Sequence, residues 1–326
     1  MASPLADGLL VVKADACRYS GGMITILRAF AAMLALLLAA FAPTALARPA
    51  HHVAVHMAHP TLWKVTGPNA TIYLFGTIHL LPADVRWFDG AVARAFMQSD
   101  TLVTEIRDPT PEDMRPIVAT RAMLPAGQSL RDMLTPDLRH RFEAALAANH
   151  LPAAGFDQFQ PWYAAVALAT VPMMQMGYDP ANGVDVALGK RAQALGRSHV
   201  ALETADYQLG LFAALPQTVQ KAYLMAVVKQ LPEVKTELAE VIDAWKTGHA
   251  GVLAKLMNAD EDDPQMMQTL LIDRNRTWAK WIETRLAKPS KPHETLFIAV
   301  GAGHLAGPGS VMDQLRTLGI ASQRVQ

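Results

Sequence analysis

Four ionisable side chains follow four apolar, strand-like runs of the sequence, and their types suit hydrolytic chemistry. Two are histidines, His79 and His304, and each of them ends a Gly-x-x-His signal. The other two are carboxylates, Glu105 and Glu203, at the ends of two further apolar runs. Two imidazoles and two carboxylates form a ligand set for Zn, Mn or Co, with room for an activated water. The same groups could work without a metal, with a Glu–His pair as the general base.

The apolar runs before these side chains are typical of strands in an α/β sheet. They cover residues 72–75, 101–106, 199–203 and 295–300. Ligands of open α/β sheets bind just past the carboxyl ends of the strands. A glycine at that place removes the Cβ atom that would keep a substrate or a second backbone at a distance. The two histidines lie far apart in the sequence, so a shared site requires the fold to bring them together.

Helical periodicity fills most of the chain between these strands. Apolar residues that recur every three or four positions predict helices over 88–98, 136–148, 161–176, 184–195, 215–246, 264–286 and 310–318. The segments 61–65 and 70–74 predict a β-hairpin, and 321–325 predicts an edge strand. The predicted fold class is therefore α/β, with a central mixed sheet and a large helical insertion or cap.

Residues 1–47 are typical of a secretory signal peptide. A basic Arg28 precedes the apolar run 29–41, and an Ala-x-Ala cleavage pattern ends at Ala47. Met23 is the predicted true start, because the segment that begins there is a well-proportioned signal on its own. We therefore predict a periplasmic or secreted protein. An uncleaved anchor is the alternative, and it would be the expected contact with a membrane.

The predicted mature chain has a short leading segment and one domain. Residues 48–60 predict a flexible, His-containing N-terminus, and residues 61–326 predict a single α/β domain. The sequence has 29 basic and 29 acidic residues, a balance that gives no indication of nucleic-acid binding. Cys17, the only cysteine, precedes the predicted cleavage site. The mature protein is therefore expected to use neither a cysteine nucleophile nor Cys-ligated zinc.

Two polar residues in the last long helix are further candidates for the site. Arg274 can clamp a carboxylate or a developing oxyanion, and Asn275 beside it adds a donor and an acceptor. A solvated helix face is the alternative for this charged run, because arginine also serves structural ion pairs. The candidate catalytic residues are Glu105, Glu203, Arg274 and Asn275, and the candidate metal ligands are His79, His304 and Glu105.

No organic cofactor is predicted. The glycine-rich run 301–309 lacks the Gly-Lys-Ser/Thr ending of a Walker A loop, and too little chain follows it for a Rossmann unit. The sequence also lacks a Gly-x-Ser-x-Gly elbow, which argues against a serine hydrolase.

Taken together, these residues resemble the TraB/PrgY/GumN family, which includes the Tiki proteins, from about residue 62 onward. The marks are Tyr-Leu-Phe-Gly-Thr-Ile-His, Val-Thr-Glu-Ile, Leu-Glu-Thr followed by Gln208, Arg-Asn, and Val-Gly-Ala-Gly-His-Leu. The resemblance implies a fold similar to erythromycin esterase and ChaN-like proteins, with the Gly-x-x-His histidines and associated glutamates lining one cleft. Tiki members are described as metal-dependent proteases, and PrgY-type members act on or sequester peptide pheromones. Asp185 falls where family members often have an acid.

The leading functional hypothesis is a periplasmic, metal-dependent, peptidase-like hydrolase that acts on a peptide or a small molecule. His79 and His304 would hold the metal with one glutamate, and the other glutamate would activate water. One alternative is a non-catalytic ligand-binding or accessory protein in export or exopolysaccharide assembly. The other alternative is a metal-free, esterase-like hydrolase.

Overall fold

The computed structural model describes residues 56–107, 109–258 and 263–326. The predicted signal peptide and residues 48–55 of the predicted flexible N-terminus lie outside the described residues. No helix within the described ranges is long and apolar enough to cross a membrane.

A six-stranded mixed sheet forms the centre of the molecule. Its strands are β2 (Leu62–Thr66), β3 (Ala70–Thr77), β5 (Thr101–Thr104), β6 (Ser198–Ala201), β7 (Glu294–Gly301) and β8 (Ser322–Arg324). They are ordered β6-β5-β7-β3-β2-β8 across the sheet. The neighbouring strands β6, β5, β7 and β3 are parallel to one another, whereas β2 pairs antiparallel with both β3 and β8. A separate parallel pair joins β1 (His56–Met57) to β4 (Val85–Arg86). The predicted fold class, with its central mixed sheet and predicted hairpin, is confirmed.

The two central strands, β3 and β7, end side by side at the carboxyl edge of the sheet. The two strands pair in parallel over their whole length, and Thr77 lies opposite Gly301. Both Gly-x-x-His signals therefore leave the sheet side by side. Because β5 and β6 run in the same direction, the residues that follow all four parallel strands meet at one carboxyl edge.

Helices surround the sheet and fill most of the remaining chain. They are α1 (Gly90–Gln98), α2 (Pro111–Arg121), α3 (Leu130–Met133), α4 (Pro136–Ala148), α5 (Pro161–Gln175), α6 (Val184–Ala194), α7 (Ala205–Ala213), α8 (Gln217–Gln230), α9 (Val234–Lys246), α10 (Ala250–Asn258), α11 (Pro264–Met267), α12 (Asp273–Ala287) and α13 (Val311–Thr317). Short 3₁₀ turns cover Pro180–Asn182 and Ala302–Leu305, and a π turn covers Gln268–Ile272.

The sheet is buried on both faces, as parallel strands usually are. On one face, Phe75 and Phe297 pack in a large core with most of the helices, including the long buried helix α5. On the other face, Leu74 and Ile298 pack against Trp278 and its neighbours on α12. Alternate residues of one strand thus serve two cores, which fixes the register of the central strands.

The predicted elements differ from the structure in three places. The predicted helix 215–246 is two helices, because the chain turns between α8 and α9. The predicted helix 264–286 is interrupted by the π turn at Gln268–Ile272. Residues 56–60, predicted as part of a flexible N-terminus, include a paired strand and the fully buried Ala58, whose N–H donates to the carbonyl of Arg86.

Candidate active site

The carboxyl edge of the sheet holds a buried cluster of polar side chains. Glu105 follows β5 directly, Glu203 follows β6, and His304 lies in the 3₁₀ turn after β7. Helix α12 adds Arg274 and Asn275. Direct hydrogen bonds join these five predicted site residues into one network. The side chains of Arg274, Glu105 and Glu203 are only 3%, 7% and 6% exposed, so water hardly screens their interactions.

The guanidinium of Arg274 is the centre of this network. Its Nη2 donates to Glu105 Oε2 at 2.7 Å and to Glu203 Oε2 at 2.8 Å. Its Nε donates to Glu203 Oε1 at 3.0 Å. Its Nη1 donates to the carbonyl of Leu270 at 3.0 Å and lies 3.1 Å from Nε2 of His304. Leu270 belongs to the π turn before α12, and such turns are frequent at functional sites.

Glu105 is held in its ionised form. One carboxylate oxygen, Oε1, accepts the backbone N–H of Gly301 at 2.7 Å. Burial by itself would raise the pKa of Glu105, but His304, Arg274, His79 and the Gly301 N–H together lower it to about 2. A carboxylate with that pKa is a weak base, and it keeps its negative charge throughout the physiological range.

His304 is held in its neutral form with a defined tautomer. Burial and the neighbouring Arg274 lower its pKa to about 3, although Glu105 acts in the opposite direction. Its Nδ1 lies 2.6 Å from Oδ1 of Asn275, whose Nδ2 donates to the carbonyl of Gly309. That second bond orients the amide, so Nδ1 of His304 is the donor and Nε2 carries the lone pair. The lone pair faces Arg274 Nη1, and Nε2 lies 3.9 Å from Glu105 Oε1.

His79 lies at the same edge and pairs with a residue outside the cluster. Its Nδ1 is 2.5 Å from Oδ2 of Asp185, near the start of α6. The glycine before α6 allows this close approach, because a Cβ atom at Gly183 would collide with the carbonyl oxygen of His79. His79 also contributes to the lowered pKa values of Glu105 and His304.

Two further residues belong to the network but were not among the predicted site residues. Gln208 Nε2 donates to Glu203 Oε2 at 2.8 Å and to Glu105 Oε2 at 3.1 Å. Trp278 Nε1 donates to Glu203 Oε1 at 2.9 Å, and its ring packs against His304 and Arg274. Helical spacing was the signal for Trp278, because it lies one turn after Arg274 on the same face.

The donor chemistry of this edge fits a divalent ion. Two carboxylates and one guanidinium beside a neutral imidazole leave an excess of negative charge, which a cation would balance. The Nδ1 atoms of His79 and His304 each contact an acceptor, the arrangement that presents Nε2 to a metal. Glu105 and His304 are both unprotonated at neutral pH, although Nε2 of His304 accepts from Nη1 of Arg274 in this structure. Within the described ranges, however, no three His, Cys, Asp or Glu side chains are already placed around one ion.

Comparison with known proteins gives remote relatives that share most of the chain. The chain is 23% identical over 310 residues to Metalloprotease TIKI1 of Danio rerio, which covers 79% of the chain and 61% of that protein. It is 23% identical over 316 residues to Metalloprotease TIKI2 of the same fish, which covers 79% of the chain and 59% of that protein. An uncharacterized protein of Treponema pallidum is 22% identical over 273 residues, with 78% and 79% covered.

The chain thus spans about three fifths of the length of the two fish metalloproteases. No solved structure matches it, so the expected likeness to erythromycin esterase and ChaN-like folds stays a prediction. The family model matches residues 61–324 and hence every strand of the central sheet. The chain belongs to the TraB/PrgY/gumN family.

Proposed function

We propose that this protein is a metal-dependent, peptidase-like hydrolase that works at the carboxyl edge of its sheet. The observation that carries the proposal is the pair formed by Glu105 and His304, whose Oε1 and Nε2 atoms lie 3.9 Å apart. With pKa values of about 2 and about 3, both groups are weak bases. Both therefore stay unprotonated at physiological pH, which suits metal binding better than proton uptake, and a metal at Nε2 of His304 would replace its contact with Nη1 of Arg274.

We propose His79, His304 and Glu105 as the residues that hold a divalent ion, with Zn, Mn or Co as candidates. Two imidazoles and one carboxylate are a ligand set that these metals accept. When bound, such an ion lowers the pKa of a coordinated water and polarises a substrate carbonyl. Around this set, Asp185 orients the ring of His79, and Asn275 orients the ring of His304. Arg274 links His304 to both glutamates.

The peptide bond is the proposed substrate bond because the two fish relatives are metalloproteases. Their names support the class of reaction, and their low identity leaves the peptide sequence open. The proposed location is the periplasm or the exterior, which rests on the signal-like segment at 1–47. A reporter fused after residue 60 is expected to leave the cytoplasm. Retention of the reporter inside the cell would contradict this part of the proposal.

A metal-free hydrolase is the second candidate, and one contact favours it. Nη1 of Arg274 already donates to the Nε2 atom of His304 that a metal would use. In that case the guanidinium would remain the counter-ion of both glutamates, and Glu105 and His304 would act on the substrate without a metal.

Metal analysis separates the two candidates. The purified protein is dialysed against a chelator, then against Zn²⁺, Mn²⁺ or Co²⁺, and its metal content is measured. The proposal predicts close to one ion per chain, lost in His304→Ala and retained in His140→Ala, a change at an exposed histidine of α4. Equal metal content in both variants would refute the ligand role of His304.

A further inference from the structure

The two glutamates of the cluster differ in how fully their oxygens are used. An ionised carboxylate offers about four lone-pair positions. Glu203 accepts four N–H groups: Arg274 Nε and Trp278 Nε1 at Oε1, and Arg274 Nη2 and Gln208 Nε2 at Oε2. From the residues that the structure describes, Glu105 accepts three, and only one of them, the N–H of Gly301, reaches Oε1.

Arg274 likewise uses all of its hydrogen-bond donors. A guanidinium has five N–H groups. One, at Nε, goes to Glu203; two, at Nη1, go to the carbonyl of Leu270 and to His304; two, at Nη2, go to the two glutamates. At 3% exposure the side chain also has almost no surface for a substrate to touch. The contacts of Arg274 therefore point inward, to the parts of the cluster.

From this inventory we infer that Glu203, Gln208 and Trp278 are positioning residues that act through Arg274. Together they fill every acceptor position of Glu203 and fix the plane of the guanidinium. Arg274 then fixes Glu105 at Oε2. Of the two glutamates, only Glu105 keeps an unused carboxylate lone pair, at Oε1, which could bind a metal ion or a water molecule. This inference rests on the proposed function, because it divides the roles of the two glutamates within the same site.

The amide of Gln208 is well suited to this place. Its two N–H groups go to two carboxylates that lie close together and would otherwise repel each other. A glutamate there would add a third negative charge, and a methionine of similar length would donate nothing. The indole of Trp278 adds a donor and a flat surface beneath the guanidinium, 4.8 Å from its carbon to the ring centre.

The test follows the Nε–H signal of Arg274 by nitrogen–proton correlation NMR in the metal-free protein. Gln208→Met and Trp278→Phe each remove one donor from Glu203 and keep the bulk of the side chain. We expect proton exchange at Arg274 Nε to accelerate roughly 10- to 100-fold in both variants, since each loses a hydrogen bond to a charged group. The matched controls Gln217→Met and Trp281→Phe alter an exposed glutamine and a half-buried tryptophan outside the network, and are expected to leave exchange unchanged.

A second measurement separates positioning from metal ligation. Zn²⁺ affinity is measured by competition with a chromophoric chelator for Glu105→Gln, Glu203→Gln and the exposed control Glu283→Gln. We expect Glu203→Gln to weaken binding by roughly 10- to 100-fold, as the loss of an outer partner does, and Glu105→Gln to weaken it further.

Two results would overturn the inference. One is unchanged Arg274 exchange in both Gln208→Met and Trp278→Phe. The other is a loss of Zn²⁺ affinity in Glu203→Gln as large as in Glu105→Gln, with Arg274 exchange unaltered, because Glu203 would then be a ligand itself. The NMR measurement uses neither metal nor substrate. A wild-type protein that binds none of Zn²⁺, Mn²⁺ and Co²⁺ would therefore refute the proposed function without deciding the positioning roles, which the exchange rates decide.

Discussion

A Cβ atom at Gly76 would lie 3.0 Å from the Cα atom of Ala302 and 3.1 Å from its Cβ atom. The first glycine of one Gly-x-x-His signal therefore packs against the backbone of the other signal. Because this contact lies at the carboxyl ends of β3 and β7, it controls how closely the two histidine-bearing turns approach each other. A glycine at this place was predicted to admit either a substrate or a second backbone, and Gly76 admits a second backbone.

Gly76→Ala is expected to lower the free energy of unfolding by about 1–3 kcal/mol, the usual cost of overpacking a buried contact. Gly251→Ala is the matched control, because it sits in α10 and a Cβ atom added there would meet nothing within 4 Å. That change is expected to be neutral or to stabilise the helix by up to about 1 kcal/mol. Urea unfolding of both variants measures the difference. Equal stabilities would show that the two signals are not in tight contact.

Arg274→Lys is expected to destabilise the protein by up to about 3 kcal/mol, because an ammonium group cannot replace five fixed donors in a buried ion network. Arg276→Lys provides the control on the same helix. Its side chain and that of its partner Asp273 are each 50% exposed, so a change within about 0.5 kcal/mol is expected. Thermal and urea unfolding compare the two variants. A tolerated Arg274→Lys would argue against the central place of the guanidinium.

Asp185→Asn is expected to weaken Zn²⁺ binding by roughly 10- to 100-fold while the fold is kept, because an amide of the same size orients the His79 ring less strongly. Asp137→Asn, at a 64% exposed aspartate of α4, is the control. Competition with a chromophoric chelator measures both affinities. Unchanged binding in Asp185→Asn would mean that His79 is no metal ligand or needs no orienting partner.

The stability of the metal-free protein should fall as the pH is lowered from 6.5. His304 has a pKa of about 3 in the folded protein against an ordinary value of 6.5, so between these values the unfolded chain binds a proton that the folded chain does not. Each pH unit in that window costs about 1.4 kcal/mol of stability. Glu105, whose pKa falls from 4.5 to about 2, adds a loss of the same sign below pH 4.5.

Urea unfolding at several pH values between 6.5 and about 4.5 checks this dependence. His304→Gln has no imidazole to titrate, so its curve should be flatter than the wild-type curve by close to one proton. His140→Gln, at an exposed site, should keep the wild-type slope. Parallel curves for the wild type and His304→Gln would contradict the neutral, buried state of His304.

Much of the sheet was predictable because its strands are apolar runs that end in distinctive residues. The run before Gly76 and the run before Gly301 each predicted a strand, and the structure pairs them in parallel. The break between α8 and α9 was missed although Pro232, which has no backbone N–H, lies between the two helices. The π turn before Arg274 was also missed, within the predicted helix 264–286. Residues 56–60 were assigned to a flexible end because chain ends are usually poorly ordered, whereas in the structure residues 56–57 pair with the short strand β4.

The members of the site were easier to predict than their connections. Their residue types identified Glu105, Glu203 and His304 as candidate site residues, and the parallel strands place them at the carboxyl edge of the sheet. Composition could not show that Glu203 is saturated by donors, since two of those donors, on Gln208 and Trp278, come from two different helices. Side-chain hydrogen bonds of this kind depend on tertiary packing, which a single sequence does not report.

The most direct test of the proposed activity is peptide cleavage by the purified protein, followed by mass spectrometry of a broad peptide library. We predict cleavage that a chelator abolishes and that Zn²⁺, Mn²⁺ or Co²⁺ restores. We also predict that His304→Ala and Glu105→Gln lose it, whereas His140→Ala keeps it. A folded wild-type protein that cleaves no peptide with any of the three metals would contradict the proposal, and the carboxyl edge would then be a ligand-binding site.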